Sequence, residues 1–169
     1  LEFGCFKGES FINAYKNIKI AEKDWTSIKR ASKAYSKKKN LKEYSKKNYN
    51  RRFFAFDSFE GLPEAKGIDQ NHNLFKKGRY DCSKESFINN LQKSNINLNE
   101  VIIIKGFYEK SLNKNVKVNY NLKKAAIILI DCDYYESTKY VLNFITNLIQ
   151  TGSIIIFDDW FNYKGDPLK

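Results

Sequence analysis

Residues 125–138 read AAIILIDCDYYEST, and residues 152–160 read GSIIIFDDW. Each is a short run of branched apolar residues that stops in carboxylates: Asp131 and Asp133 in the first, Asp158 and Asp159 in the second. Unalternated Ile/Leu runs of this length predict strands buried on both faces, hence a parallel sheet with helices on either side. Ligands of open parallel sheets bind just beyond the carboxyl ends of the strands. As neighbours, these two strands would bring their ends to within ~5 Å of each other. Carboxylates crowded there repel one another unless a proton or a cation sits among them. The pair points to a metal.

Working outward, residues 1–10, LEFGCFKGES, read as a strand end, a turn with Gly4 and Gly8, and the start of a helix carrying Phe11, Ile12, Tyr15 and Ile18. Taken alone, two glycines before a helix are as readily a tight turn as a ligand loop. In RRFFAFDSFEGLPE, residues 51–64, Phe53 to Phe56 form a strand with Asp57 at its carboxyl end. An acid there accepts hydrogen bonds from ribose hydroxyls in nucleotide-binding α/β folds, or caps the turn that follows. Residues 20–50 predict a helix, with Trp25, Ile28 and Tyr35 near helical spacing, then an exposed Lys-rich connection. Residues 65–80 read as polar loop with His72 exposed. Ser83 caps a helix bearing Phe87 and Leu91. Val101 to Lys105 is a third strand, ending at Gly106-Phe107, a bend where an aromatic ring can meet a flat base. Residues 111–124 read as loop, and residues 137–150 as the helix between the two organising strands. Strand and helix alternate throughout, which predicts one doubly wound, mostly parallel α/β domain over residues 1–169.

A hydrophobic content of 42% argues against disorder despite the charge. The net charge of +11 invites a nucleic-acid reading, but Lys, Asn and Ile are enriched along the whole chain rather than in one stripe. Charge of that kind gives non-specific attraction and no specific nucleic-acid site. Cys5, Cys82 and Cys132 are scattered without a CxxC spacing, which predicts reduced thiols and a cytoplasmic location. No apolar run is long enough to span a membrane. His72 is the only histidine, so an oxygen-ligated hard cation such as Mg²⁺ fits better than an imidazole-bound metal. The absence of Met, the opening LEFG and the closing GDPLK suggest a piece of a longer chain, without the start of its first strand and without its final strands.

FDSFEGLPE, KGRYDCSKESFINNL, IKGFYEKSL, IDCDYYEST and IIIFDDW together resemble the successive blocks of the macrocin O-methyltransferase family. The resemblance runs from EFGCFKG to DDW, and its most specific parts are FDSFEGLP and the paired DCDYYEST and DDW. It implies a class I methyltransferase fold and a Mg²⁺-assisted transfer of methyl from S-adenosylmethionine to a hydroxyl of a sugar-containing small molecule. By position, it implies cofactor binding by Glu2, Gly4, Cys5, Phe6, Asp57, Ser58, Phe59, Ser83, Gly106 and Phe107. It implies Asp131, Asp158 and Asp159 as metal ligands and Asp133 as general base. A homo-oligomer is compatible with it. Residues 113–124 and 23–50 depart from the family pattern in length and basicity, and the family's N-terminal lid and last strands lie outside this chain.

Two other enzyme classes carry parts of the pattern. A haloacid-dehalogenase-like phosphatase also ends a strand in DxD, but wants Thr or Val where Tyr135 stands. A metal-dependent glycosyltransferase uses DxD to grip a nucleotide-sugar diphosphate and leaves FDSFEGLP without a role. A non-catalytic basic binding module is the third alternative.

Overall fold

Side-chain alternation along the second strand divides the core in two. Phe54 and Phe56 face one side of the sheet, and Phe53 and Ala55 the other, as the two-residue period of a strand requires. The computed structural model describes residues 1–35, 51–71 and 75–158, without the side chains of 25–35. Its strands are β1 (Glu2–Phe3), β2 (Phe53–Asp57), β3 (Val101–Lys105), β4 (Ile127–Ile130) and β5 (Ile154–Phe157). Its helices are α1 (Glu9–Tyr35), α2 (Lys84–Lys93), α3 (Tyr108–Ser111), α4 (Lys114–Asn119) and α5 (Tyr135–Ile145). The sheet order is β3-β2-β1-β4-β5, every neighbouring pair parallel. The chain therefore builds outward from β1 to β3, then crosses back to lay β4 on the other side of β1. The point where this order reverses is where open sheets bind ligands.

On one face, Phe3, Phe56, Ile128, Val141 and Phe144 form a buried cluster, with the Phe3 and Phe56 rings stacked at 4.5 Å. On the other, Phe11 and Tyr15 of α1 and Phe87 and Leu91 of α2 cover Phe53 and Ala55. The expected doubly wound α/β sheet is present, with the strand ends and the Ser83 cap where the sequence put them.

Several local expectations are corrected. Residues 111–124 are not loop throughout: α3 ends there, and α4 follows with Asn113 as its cap. The segment is fastened by Arg52, which donates to the carbonyls of Tyr120 and Asn121 at 2.7 and 2.6 Å. The helix expected over 137–150 spans Tyr135–Ile145. It stops early because the chain turns through 146–150, where Gln150 N–H donates to the Ser153 hydroxyl, and Leu142 is left exposed. Residues 65–80 contain a 3-10 turn, Gly67–Asn71. Burial on both faces fails for β5, which among the described residues has a strand on one side only, and whose Ile154 and Ile156 are 57% and 46% exposed. The Trp25, Ile28 and Tyr35 side chains, His72, Asp159 and the Lys-rich residues 36–50 lie outside the described residues.

The ends of β1 and β4 approach so closely that a Cβ on Gly4 would run into the carbonyl oxygen of Asp131, and Gly4 sits at φ +84°. Gly4→Ala is expected to cost on the order of 3 kcal/mol. Gly78, at φ +77° with nothing near its absent Cβ, should tolerate alanine at about 1 kcal/mol. Urea unfolding of both variants checks this: equal losses would mean that the Gly4–Asp131 approach is not a constraint.

Candidate active site

The loop that leaves β1 is shaped by a carboxylate on the next strand. Gly4 N–H donates to Phe56 O at 3.0 Å; Cys5 N–H and Phe6 N–H then both donate to Asp57 Oδ2, at 2.7 and 3.0 Å. Asp57 Oδ1 accepts from Phe59 N–H at 2.8 Å. A carboxylate offers about four lone-pair sites; the Ser58 hydroxyl lies 3.5 Å from Oδ1 but donates its single proton to Gly61 O at 2.7 Å, so capacity remains on Oδ1. Asp57 caps its own turn and fastens the first loop, and it can still accept from a hydroxyl. From below, Asn90 donates to Lys7 O at 3.0 Å, and Gly8 lets the loop lie against the Phe87 ring.

A cleft of about 370 Å³ opens over the strand ends. Gly4, Phe6, Asp57 and Ser58 line it from the β1 and β2 side, Phe107 from β3, and Asp131, Asp133 and Asp158 from β4 and β5. Other expected site residues do not reach it. Phe59 is buried against Phe87, Ser83 caps α2, and Gly106 accommodates Ser111. Cys5 contributes its backbone N–H, while burial pushes its thiol pKa up. Glu2 lies under the loop.

Ile130 pairs with Phe157 in the sheet, so Asp131 and Asp158 follow one another off adjacent strands. Asp158 N–H donates to Ile130 O at 3.1 Å, and Asp131 N–H to Phe3 O at 2.8 Å. Two carboxylates leaving adjacent strands suit a hard, oxygen-preferring cation. Among the described residues no group of three or more His, Cys, Asp or Glu is gathered to hold a metal, and Asp159 lies outside them. Cys132 packs inward with Sγ 3.7 Å from Phe3 O, as strand alternation predicts. Asp133 stands on a strained turn: its φ is +59°, and Tyr134 N–H donates back to Cys132 O at 2.6 Å, a γ-turn with the central residue at positive φ.

The sequence reading missed the residues that build the other wall. Asp69, buried at 3% exposure, accepts from Tyr135 N–H and Glu136 N–H at 2.9 and 3.0 Å. It caps α5 from 66 residues away. The one available signal was a lack: Tyr134 occupies the cap position and supplies no side-chain bond, so the first-turn N–H groups had to be satisfied from elsewhere. A row of rings also crosses the cleft, with Phe6 edge-on to Tyr80 at 5.8 Å, Phe75 6.3 Å from Tyr80, and Phe75 6.1 Å from Tyr134. Glu64, Glu109 and Glu136 add carboxylates to the lining, and its lysine, Lys66, is paired with Glu109 at 3.2 Å.

A parallel sheet in this order, with an acid-lined cleft at its reversal point, defines a doubly wound α/β protein with its ligand site at the strand ends. Two solved structures share the fold. The calicheamicin methyltransferase CalS11 superposes with a TM-score of 0.65 at 19% identity, over 94% of this chain and 56% of that one. The O-methyltransferase NovP gives 0.58 at 18%, over 93% and 55%. The chain thus spans a little over half the length of the structures it resembles. No curated protein sequence matches it. Residues 28–166 match the macrocin-O-methyltransferase (TylF) family, and the chain belongs to that family.

Glu2 gives a pH signature. Burial pushes its carboxyl up to about 7, with the Ser10 hydroxyl, donating at 2.6 Å, offsetting part of the rise. Between the ordinary value of 4.5 and about 7 the folded state holds more protons than the unfolded one. Stability should therefore fall as pH rises through that window, by roughly 3 kcal/mol. Glu2→Gln should flatten this part of the profile and be the more stable protein at pH 8, as measured by urea midpoints from pH 4 to 8. A parent profile that is flat, or rises, across the window would contradict the burial of a neutral Glu2.

Proposed function

We infer that the protein transfers the methyl group of S-adenosylmethionine to a hydroxyl of a sugar-containing small molecule. The observation that carries this is one cleft bringing Asp57, at the end of β2, together with Asp131, Asp133 and Asp158, at the ends of β4 and β5. The family match supports the same chemistry, and with it neither the phosphatase nor the glycosyltransferase reading is retained.

In this reading Asp57 Oδ1 accepts from a ribose hydroxyl, and Gly4 and Phe6 present the backbone along which the rest of the cofactor lies. Phe107 offers a ring to the flat base. Asp131 and Asp158, with Asp159 following in the sequence, would hold a divalent cation, Mg²⁺ being the best match to an all-oxygen donor set. When bound, such a cation lowers the pKa of a hydroxyl in contact with it. S-adenosylmethionine supplies a methyl carbon bound to a sulfonium. The acceptor oxygen forms the new C–O bond as the C–S bond breaks, the electron pair stays on sulfur, and Asp133 takes the hydroxyl proton. Alignment of the two reactants by the cleft supplies much of the acceleration, roughly 7 kcal/mol or more in good cases. Cys5, Cys82 and Cys132 are free thiols, which supports a reducing, cytoplasmic setting. No helix among the described residues is long and apolar enough to cross a membrane.

Calorimetric titration of S-adenosylmethionine, with and without Mg²⁺, tests the assignment. Micromolar binding is expected, weakened at least about tenfold by Asp57→Ala, equivalent to one lost charge-assisted hydrogen bond. Asp133→Asn should keep that affinity and lower methyl transfer to methyl glycosides by about 100-fold or more. A folded protein that does not bind S-adenosylmethionine, or an Asp133→Asn variant with full transfer, would overturn the assignment.

A further inference from the structure

Residues 58–71 and 75–80 are fastened to one another at their base, and the 3-10 turn of the first stretch reaches the start of α5. At the base, Leu62 N–H donates to Arg79 O and Gly78 N–H to Leu62 O, both at 2.9 Å, and Gly61 lies so close to Gly78 that a side chain there would meet its carbonyl. At the tip, the 3-10 turn Gly67–Asn71 delivers the buried Asp69 carboxylate to the first turn of α5. One further bond runs between the same two elements: Tyr134 O–H donates to Phe75 O at 3.1 Å.

These contacts converge on the residues that follow Asp133. Asp133 is held in the left-handed region at φ +59°, a strained conformation that a non-glycine residue keeps only where its surroundings over-determine it. Upstream, it is fixed by Asp131, whose N–H is tied to β1. Downstream, the next three residues are each held from these two stretches or by the turn itself: Tyr134 through its hydroxyl and its N–H, Tyr135 and Glu136 through Asp69. An ordinary helix cap would satisfy the α5 N–H groups locally and leave the turn free to relax. A buried carboxylate from another segment satisfies them and fixes where α5 begins.

We propose that Asp69 is a positioning residue, which holds the strained turn carrying Asp133 and so fixes the base relative to the cleft. The role given to Asp133 rests on the methyl-transfer reading; the mechanical role of Asp69 does not. The segment that starts at the proposed ribose acceptor, Asp57, is also the one that sets the proposed base.

Amide hydrogen exchange and ¹H–¹⁵N spectra of the parent, Asp69→Asn and Asp69→Ala test this, alongside calorimetry with S-adenosylmethionine. In Asp69→Ala, the Tyr135 and Glu136 amides should exchange roughly 30-fold faster, and the Asp133 and Tyr134 resonances should move. Ala55 in β2 and Leu129 in β4, both inner strands, should keep their protection. Asp69→Asn, which retains one acceptor oxygen, should give a smaller change at the same residues, and it remains informative where the alanine variant is too unstable to study. Unchanged exchange at Tyr135 and Glu136 would overturn the proposal. So would a uniform loss of protection across the sheet, which would make Asp69 a stability residue only. If the parent binds no S-adenosylmethionine while the exchange pattern is as expected, the methyl-transfer reading falls and the positioning role stands.

Discussion

The Asp57 carboxylate is the constraint on which the rest of the site depends. It sits at the end of β2, yet it shapes the loop after β1, taking the N–H groups of Cys5 and Phe6 on one oxygen and that of Phe59 on the other. Phe6 and Phe59 both lie in the left-handed region, at φ +44° and +55°. Such residues hold this conformation only where hydrogen bonds and packing over-determine it. With the carboxylate in place, two adjacent strand ends share one rigid rim, and Gly4 can lie flat against β4. Without it, those backbone donors would lose charge-assisted partners, worth roughly 1.5–3 kcal/mol each.

What could be read from the sequence was what sequence encodes locally. The strands announced themselves as apolar runs ending in Asp57, Lys105, Asp131 and Asp158, and the α2 cap as Ser83 three residues before Ser86. The fold class followed from their alternation with helices. What could not be read was what the tertiary structure supplies. α5 starts at Tyr135 because Asp69 caps it from a distant turn, and no spacing rule links residues 69 and 135. α3 and α4 are too short for a helical period to show; they persist because Tyr108 and Val116 pack on the core and Arg52 holds the chain that follows. The paired Ile-rich strands also read alike, and only the sheet order shows that, among the described residues, β5 pairs on one side while β4 pairs on both.

The candidate site residues divide in the same way. Residues at strand ends, Asp57, Asp131, Asp133 and Asp158, were legible because a carboxylate that stops an apolar run is conspicuous. Glu2, Cys5, Phe59, Ser83 and Gly106 support the cleft from outside it, through a buried carboxyl, a backbone donor, a core ring, a helix cap and a close approach. Proximity in sequence to a ligand loop does not separate lining from foundation; only the direction of each side chain does.

The acid-lined cleft has a kinetic consequence. The chain carries a net charge of +11, while the cleft gathers Asp57, Asp131, Asp133 and Asp158, its glutamates Glu64, Glu109 and Glu136 each being paired with a lysine. A cation approaching from solution meets repulsion first and attraction only at the mouth. The Debye length is about 8 Å at physiological ionic strength and about 30 Å in dilute buffer, so the repulsive shell reaches farther out as salt is removed. Screening lowers that outer barrier more than it weakens the close contacts within the cleft. For a chain of this charge, added salt would therefore speed the entry of a cation, the reverse of the usual steering by opposite charge.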